Sequence, residues 1–188
     1  WNTILVGLGA GFVGVVYAGL LRRSLALYAR GRHFPVVLRP LLPFLGAALM
    51  LFIYPQATGE GLSVFTAMET GALASTLRAF LCAKLLFTAF CYGSGVPAGV
   101  MVPVLALGGV AGGLCAMGFA AAGIAGGGGM AAFITMGMAA AFAAAEHAPL
   151  TSIVLVLEMT GAYAATPGLL VAAAVAVMVA RLLRARPV

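Results

Sequence analysis

The chemistry-bearing part of this sequence is a short break between two apolar stretches. Residues 93–103 read Gly-Ser-Gly-Val-Pro-Ala-Gly-Val-Met-Val-Pro. A helix does not continue through three glycines and two prolines within eleven residues. A new helix is predicted to begin near Val100, with Pro103 in its first turn, where a missing N–H is tolerated. The first N–H groups of a helix have no intrahelical acceptor, so those of Val100 and Met101 are available to an anion.

We identify five consecutive residues as the candidate anion-binding site: Gly99, Val100, Met101, Val102 and Pro103. A glycine at the first position permits close approach of an ion to the backbone. Transporters use broken helices of this kind to hold anions at membrane depth. A plain turn is the alternative interpretation of the same break. We expect no metal, no organic cofactor and no catalytic residue, with an anion as the ligand.

An intramembrane hydrolase is a second, weaker interpretation of the same segment. Ser94 lies between two glycines, but a nucleophile elbow needs the pattern Gly-x-Ser-x-Gly, which is absent around it. Only His33 and His147 are available as bases. A structural membrane subunit that conducts nothing is a third interpretation.

The high share of apolar residues indicates that the helices on either side of this break lie in a lipid membrane. Of the 188 residues, 64% are hydrophobic and only 7% are charged, against about a quarter charged in soluble domains. No Asp, Glu, Lys or Arg occurs from residue 85 to 145. Residues 4–21 are apolar on every face, which argues against the alternating strands of a membrane barrel. We predict an all-α, polytopic membrane protein with six or seven spans, some broken or re-entrant.

The net charge of +6 comes from basic residues in two clusters, at 22–39 and 181–186, that flank apolar segments. The positive-inside rule places both clusters on the cytoplasmic side, separated by an even number of full crossings. A nucleic-acid partner is therefore not expected. The three cysteines, which show no metal-ligand spacing, are expected to be small core residues.

The pattern of apolar residues predicts eight helical segments, and the positions of the few charged residues within them predict where those side chains lie. Glycines at 7, 9, 11, 14 and 19 predict a close-packing stripe on the first helix. Arg78 and Lys84 are expected to extend toward the membrane surface, and the alternative is that they face protein or water within the span. Glu146 and His147 are expected to form a helix-end pair at the membrane surface, with a pH-sensitive pair as the alternative. The predicted segments are spans at 4–27, 40–53, 72–92, 100–122 and 168–183, a short dipping segment at 62–70, and helices at 130–145 and 150–160.

Two ordered motifs resemble one family, the CLC chloride channels and chloride/proton exchangers. Residues 99–103, Gly-Val-Met-Val-Pro, followed by Leu-Ala-Leu-Gly at 105–108, resemble the family's anion signature Gly-x-Phe-x-Pro. Residues 148–160, Ala-Pro-Leu-Thr-Ser-Ile-Val-Leu-Val-Leu-Glu-Met-Thr, are similar to a segment near the family's subunit interface. The resemblance covers residues 1–188 and corresponds to the second of the family's two inverted repeats.

The resemblance implies anion coordination by the amides of Val100 and Met101. It also implies a homodimer, joined through residues 150–160 and 168–183, in a multi-pass protein of a bacterial inner membrane. Met101 departs from the family's usual Phe, and Ser94 is not assigned as an anion-binding serine. The family's gating glutamate and pore tyrosine have no match in this sequence, so passive channel and proton exchanger both stay open. The preceding half of the same protein is the expected partner.

Overall fold

A computed structural model describes residues 1–30, 41–53, 55, 63–69, 71, 73–95, 99–123 and 129–187. All regular structure in these residues is helical, which confirms the all-α prediction. The helices are α1 (Asn2–Arg30), α2 (Leu41–Ile53), α3 (Ser63–Glu69), α4 (Ala74–Gly93), α5 (Met101–Ala121), α6 (Gly129–Glu146), α7 (Pro149–Thr160) and α8 (Thr166–Leu182), the last preceded by a 3₁₀ turn at Tyr163–Ala165.

Five helices, α1, α4, α5, α6 and α8 with its preceding turn, are long and apolar enough to cross a bilayer. The chain length allows roughly six or seven spans, and the described part of the chain contains five candidates. Residues 40–53 were predicted to span, but α2 has only 13 residues and α7 only 12. At 1.5 Å per residue such helices reach about 20 Å, short of the roughly 30 Å hydrocarbon core.

The helix boundaries otherwise agree with the sequence pattern to within a few residues. Proline at the start of α7 and of α8, and Gly161 in a left-handed conformation after α7, mark the breaks as expected. Residues 58–61, for which the sequence predicts a turn, residues 126–128 of the loop predicted at 126–129, and the basic residues Arg32 and Arg39 lie outside the described residues.

Helices α1 and α8 run in the same direction and touch through small residues. A Cβ on Gly7 would lie 2.9 Å from the Ala172 carbonyl oxygen, and one on Gly11 would lie 2.8 Å from the Ala176 Cα. Parallel helices put their carboxy-terminal ends, which carry Arg22, Arg23 and Arg181, at the same end of the bundle. Arg22, Arg23 and Arg181 therefore lie on one side, as an even number of crossings requires.

The centre of the bundle is an antiparallel contact between α5 and α6, in which the backbones of the two helices approach each other closely at glycines. A Cβ on Gly112 would overlap the carbonyl oxygen of Phe133, and one on Gly137 would overlap that of Gly108. Residues 104–113 and 133–145 are buried without interruption. With no hydrophobic force between helices in lipid, such backbone contact supplies the dispersion energy that joins them.

The glycine stripe predicted on α1 is correct at four of its five positions. Beyond Gly7 and Gly11, a Cβ on Gly14 would overlap the Ala141 carbonyl of α6, and one on Gly9 would lie 3.3 Å from the Cys115 sulfur of α5. Within the described part of the chain, no atom lies within 4 Å of a Cβ at Gly19, so the packing seen there does not include the fifth position of the stripe.

Large apolar side chains face outward from most of the helices. Phe12 on α1 is 55% exposed, Phe52 on α2 is 88% exposed and Leu182 on α8 is 80% exposed. In water such a surface promotes aggregation, whereas lipid or another apolar protein surface matches it. The outer face of the bundle thus agrees with the composition in requiring a membrane.

Candidate functional site: the amino-terminal end of α5

The helix break lies where the sequence places it. Helix α4 ends at Gly93, Ser94 and Gly95 form a turn with the Gly95 φ at 79°, and α5 begins at Met101 with Val100 as its cap. Residues 96–98 lie outside the described residues. The left-handed φ explains the glycine at position 95, since other residues rarely adopt it.

The five candidate residues form the open end of a helix whose following residues, 104–113, are buried. Gly99 is exposed, Met101 is 45% exposed and Val102 is 38% exposed, while Val100 and Pro103 are half-buried. Among the described residues, no group accepts a hydrogen bond from the N–H of Val100 or Met101. Pro103 is the third helical residue, so its missing N–H removes only a donor that has no intrahelical acceptor.

Gly99 is not required by the packing of the described residues. A Cβ at this position would have no atom of those residues within 4 Å, and its φ lies outside the left-handed region. This contrasts with the glycines of the α5–α6 contact, where the backbone of a neighbouring helix excludes a side chain. Among the described residues, none fills the space beside Gly99.

Tyr17 of α1, which the sequence analysis did not single out, holds the first peptide group of α5. Its hydroxyl donates to the carbonyl oxygen of Val100 at 3.0 Å, and the side chain is 1% exposed. That carbonyl belongs to the same planar peptide group as the N–H of Met101. The bond therefore fixes the direction of the Met101 N–H, and it polarises the peptide so that the N–H becomes a stronger donor.

Tyr17 also indicates the depth at which α5 begins. It is the sixteenth of the 29 residues of α1, a helix long enough to cross the bilayer completely. Because its hydroxyl contacts Val100, α5 starts beside the middle of a full span. The prediction of irregular backbone at membrane depth follows from this contact. A buried tyrosine in an apolar span needs a partner for its hydroxyl, a signal that would have found Tyr17 in the sequence.

Other helix ends converge on the same point. Glu146, the last residue of α6, and Tyr92, near the end of α4, both interact electrostatically with Tyr17. Helix α7 begins three residues after Glu146, at Pro149. The end of α6 therefore lies near Tyr17, and the position of Glu146 and His147 relative to the membrane surface stays a prediction.

His147 forms the turn between α6 and α7 in a left-handed conformation, with φ at 56°. Histidine tolerates this region better than most residues, although the conformation still costs roughly 1 kcal/mol or more. Its Nε2 atom is enclosed and has no hydrogen-bond partner among the described residues. A buried nitrogen in this state leaves a donor or acceptor position open beside Glu146.

The two basic residues of α4 differ in their surroundings. Arg78 is exposed, and its Nε donates to the Ala74 carbonyl at 3.3 Å near the start of the helix, as extension toward the surface predicts. Lys84 is only 4% exposed, on the buried stripe of α4, and it interacts electrostatically with Cys91. The same expectation was wrong for Lys84, which is covered by protein.

Ser94 is bound within its own helix end rather than offered to a substrate. It is 5% exposed, and its hydroxyl donates to the Cys91 carbonyl at 2.7 Å. This arrangement gives no support to the hydrolase interpretation.

All three cysteines are free thiols, and Cys82 is exposed on α4, contrary to the expectation that all three lie in the core.

A cavity of about 780 Å³ lies elsewhere, between the start of α6 and the junction of α7 with α8. Its lining includes Phe65, Met136, Met138, Met159 and Pro167, and it carries no charged side chain and no residue of the α5 start. Such a lining offers nothing that selects a small anion. The candidate site stays at α5.

Comparison with known proteins gives one family. The family model described as voltage gated chloride channel matches residues 1–181. The H(+)/Cl(-) exchange transporter ClcA of Vibrio parahaemolyticus is 31% identical over 193 residues, and that of Yersinia pestis is 34% identical over 191 residues. Each alignment takes in 100% of this chain, but only 41% and 40% of those relatives.

A solved structure agrees with the sequence comparisons. The crystal structure of a slow cyanobacterial Cl-/H+ antiporter superposes on this chain with a TM-score of 0.86 at 31% identity, covering 100% of this chain and 44% of the other. The chain thus spans about two-fifths of the length of the proteins it matches. It is an integral membrane protein, and it belongs to the voltage gated chloride channel family.

Proposed function

We propose that this chain forms part of a pathway for chloride or a similar small anion, as a channel or as a proton-coupled exchanger. The observation that carries the proposal is the start of α5, an exposed helix end beside the middle of α1, with its first peptide held by Tyr17. A helix amino terminus carries about half an elementary positive charge. An anion held by amides alone binds weakly and leaves quickly, which conduction requires.

The names of the relatives support the anion and leave the mode of transport open. Both relatives are named as exchangers of protons and chloride, and the solved structure is named as an antiporter. Met101 stands where the family signature has Phe, a change that keeps the amide and alters the wall beside it. Chloride is therefore our first choice of ligand, held by the Val100 and Met101 N–H groups next to Gly99, Val102 and Pro103.

The test is flux through the full-length protein that contains this chain, reconstituted in liposomes loaded with chloride. We expect chloride efflux that is selective over larger anions and absent from empty liposomes. Parallel recording of external pH distinguishes an exchanger, which moves protons against chloride, from a channel. Absence of flux in folded protein would instead favour a structural membrane subunit.

We further propose that residues 1–188 form the second of two inverted repeats and need the first to conduct. The relatives are more than twice as long as this chain, and inverted-repeat transporters build their site where the repeats meet. Liposomes containing only residues 1–188 should be silent. Sustained, selective chloride flux from them would overturn this part of the proposal.

A homodimer joined through α7 and α8 is the proposed assembly, although the surface differs from the expected one. Small side chains were expected to face the partner, but Ala172, Ala173 and Ala176 are fully buried within the chain. The outward residues mix large side chains, such as Leu150 at 74% and Met178 at 63% exposed, with exposed valines of the expected kind, such as Val154 at 59%. Large apolar side chains on the outward face of α7 and α8 pack against the same side chains of a partner subunit or contact lipid.

Substituting Val154 by Trp together with Leu170 by Trp should convert dimers of the full-length protein to monomers in detergent. The matched control is Leu5→Trp, on an exposed apolar position of α1. Multi-angle light scattering gives the mass of each variant. Persistent dimers in the double variant would place the interface elsewhere.

A further inference from the structure

Arginines of two helices meet at the end of the bundle where the parallel helices α1 and α8 finish. The close contacts of Gly7 and Gly11 with α8 both join residues that are 165 positions apart. The same register, continued past the end of α8, puts Arg184 level with residue 19 of α1. Arg22 lies three residues further along α1, so about 5 Å separates the two arginines along the bundle axis.

Arg22 lies on the face of α1 that contacts α8. It follows Gly11 by eleven residues, which is close to three turns of helix, and it is half-buried, whereas Arg23 is exposed. The apolar pattern of α1 continues past both arginines, with Leu25 39% exposed and Leu27 67% exposed. A charged residue within such an apolar helix extends toward the membrane surface or takes a partner of opposite charge.

The turn that carries Arg184 closes α8 with defined hydrogen bonds. The Ala185 N–H donates to the Ala180 carbonyl at 2.9 Å, and the Arg184 N–H donates to a carbonyl one turn back at 3.0 Å. Arg184 itself has φ at 48°, in the left-handed region. Helices that end in this way usually have glycine at the left-handed position, because a Cβ there is unfavourable. Arginine at this position therefore costs stability, which favours a role for its side chain outside folding.

No acidic side chain neutralises these arginines within the described residues. The sequence contains four acidic residues, none of them on α1 or α8. Glu146, at the end of α6, interacts with His147 and Tyr17, and no arginine acts on it. In the part of the chain that the structure describes, the guanidinium groups of Arg22 and Arg184 make no ion pair or hydrogen bond. Two like charges thus lie near each other with an anion still to be supplied.

The choice of basic residue points to the kind of anion. The described basic residues at this end of α1 and α8 are all arginines, here called the arginine cluster: Arg22, Arg23, Arg181, Arg184 and Arg186. The single lysine of the chain, Lys84, is on α4. The positive-inside rule is satisfied equally by lysine and arginine, so it does not explain this composition. A guanidinium group donates two parallel hydrogen bonds to a phosphate, a geometry that an ammonium group lacks.

We propose that the arginine cluster binds the phosphate group of an anionic phospholipid in the cytoplasmic leaflet. The positive-inside rule puts the cluster on the cytoplasmic side, where the membrane surface is negatively charged. Leu182 and Leu183, which directly precede Arg184, are 80% and 52% exposed and offer an apolar surface to the acyl chains. A phosphate between Arg22 and Arg184 neutralises both charges and joins the ends of α1 and α8. This site is independent of the proposed anion pathway.

The experiment titrates lipids into the purified full-length protein in a neutral detergent and counts bound lipids by native mass spectrometry. Wild type should bind phosphatidylglycerol, which is anionic, in preference to phosphatidylcholine, which is zwitterionic. A basic residue near the membrane surface strengthens such binding by about fivefold, so Arg22→Gln should weaken phosphatidylglycerol binding by about that factor. The matched control, Arg78→Gln, removes the same charge from an exposed position on α4 and should bind as wild type does.

Arg184→Gly separates lipid binding from folding. Glycine suits the left-handed φ, so this variant should have a higher thermal unfolding midpoint than wild type in lipid-free detergent. It should nevertheless bind phosphatidylglycerol about fivefold more weakly. Wild-type affinity for phosphatidylglycerol in both Arg184→Gly and folded Arg22→Gln overturns the role of the arginine cluster.

Two further outcomes test the lipid itself. Phosphatidylglycerol should raise the unfolding midpoint of wild type, whereas glycerol phosphate, which lacks acyl chains, should leave it unchanged. Equal stabilisation by both would assign the cluster to a free phosphate and overturn the lipid. Equal binding of phosphatidylcholine and phosphatidylglycerol would show that lipids bind through their acyl chains alone, which overturns the proposal as well.

Discussion

The first turn of α5 and the body of the same helix differ in how closely other residues pack against them. Its first turn, near residues 99–103, is open, partly exposed and contacted mainly through one peptide held by Tyr17. Its body, residues 104–113, is buried throughout, and Gly112 and Gly108 lie against the backbone of α6. Glycine occurs in both parts, but in the body it admits another helix and in the first turn it leaves space that no described residue fills.

The difference means that the same substitution should have different consequences along a single helix. In the body, an added side chain displaces backbone, which does not move without separating two helices. In the first turn, an added side chain meets no described atom and occupies only the proposed path of the ion. Folding and transport should therefore respond separately.

The largest effect is expected from Gly112→Ala in the body of α5. The added Cβ would overlap the Phe133 carbonyl and lie near the Gly137 Cα, so α5 and α6 must separate. Overpacking of this kind costs about 3 kcal/mol or more when backbone must shift. We expect little monodisperse protein by size-exclusion chromatography and a lowered thermal unfolding midpoint.

Gly118→Ala is the control for this comparison. Gly118 lies on the same helix with nothing within 4 Å of its Cβ position. Alanine there should stabilise the helix by up to about 1 kcal/mol, because it favours helix more than glycine. Equal stability of the two variants would contradict the close contact between α5 and α6.

Gly99→Val should produce the reverse outcome, loss of transport without loss of folding. The side chain meets no described atom, so the unfolding midpoint should change little, as for an ordinary surface substitution within about 0.5 kcal/mol. The valine would occupy the space beside the Val100 and Met101 amides and reduce chloride flux to background. Gly118→Val, at an exposed position near the other end of α5, should retain flux. Normal flux in Gly99→Val would move the anion away from this end of α5.

Much of the fold was predictable because apolar runs, prolines and glycines determine helix ends locally. The starts of α5 and α7 were predicted to within a few residues from Pro103 and Pro149. Helix length was less predictable, because α2 is as apolar as a membrane span but, with 13 residues, is too short to cross the bilayer. The five candidate residues were located on one helix end as expected, and their binding of an anion stays a prediction.

What the sequence pattern did not indicate was contact between distant segments. Tyr17 and Val100 are 83 positions apart, and no local periodicity reports their hydrogen bond. Lys84 was expected to reach the surface because its helix was considered alone, whereas packing of α1 and α5 on α4 buries it. The alanines of α8 were expected to face a partner, but α1 and α6 already occupy them.

Tyr17→Phe should have an intermediate effect, smaller than that of Gly99→Val. Phenylalanine keeps the shape that fills the core but removes the donor to the Val100 carbonyl. One neutral hydrogen bond contributes about 1 kcal/mol, equivalent to roughly fivefold in an equilibrium constant. We expect chloride affinity of the full-length protein to fall by about that factor, measured by calorimetry. Wild-type affinity in Tyr17→Phe would show that the first peptide of α5 is held without it.

Met101→Leu should have the smallest effect and gives the most direct test of backbone binding. The substitution keeps the amide and nearly keeps the side-chain volume, and volume-conserving apolar changes are well tolerated. Because the side chain is 45% exposed, it contributes to the wall of the opening rather than to the core. If the N–H groups of Val100 and Met101 hold the ion, the order of anion preference should be unchanged and the rate should change by about twofold or less. Competition between chloride and larger anions in the liposome assay measures that order. A lost preference for chloride in Met101→Leu, with the protein folded, would assign selectivity to the side chain instead of the amide.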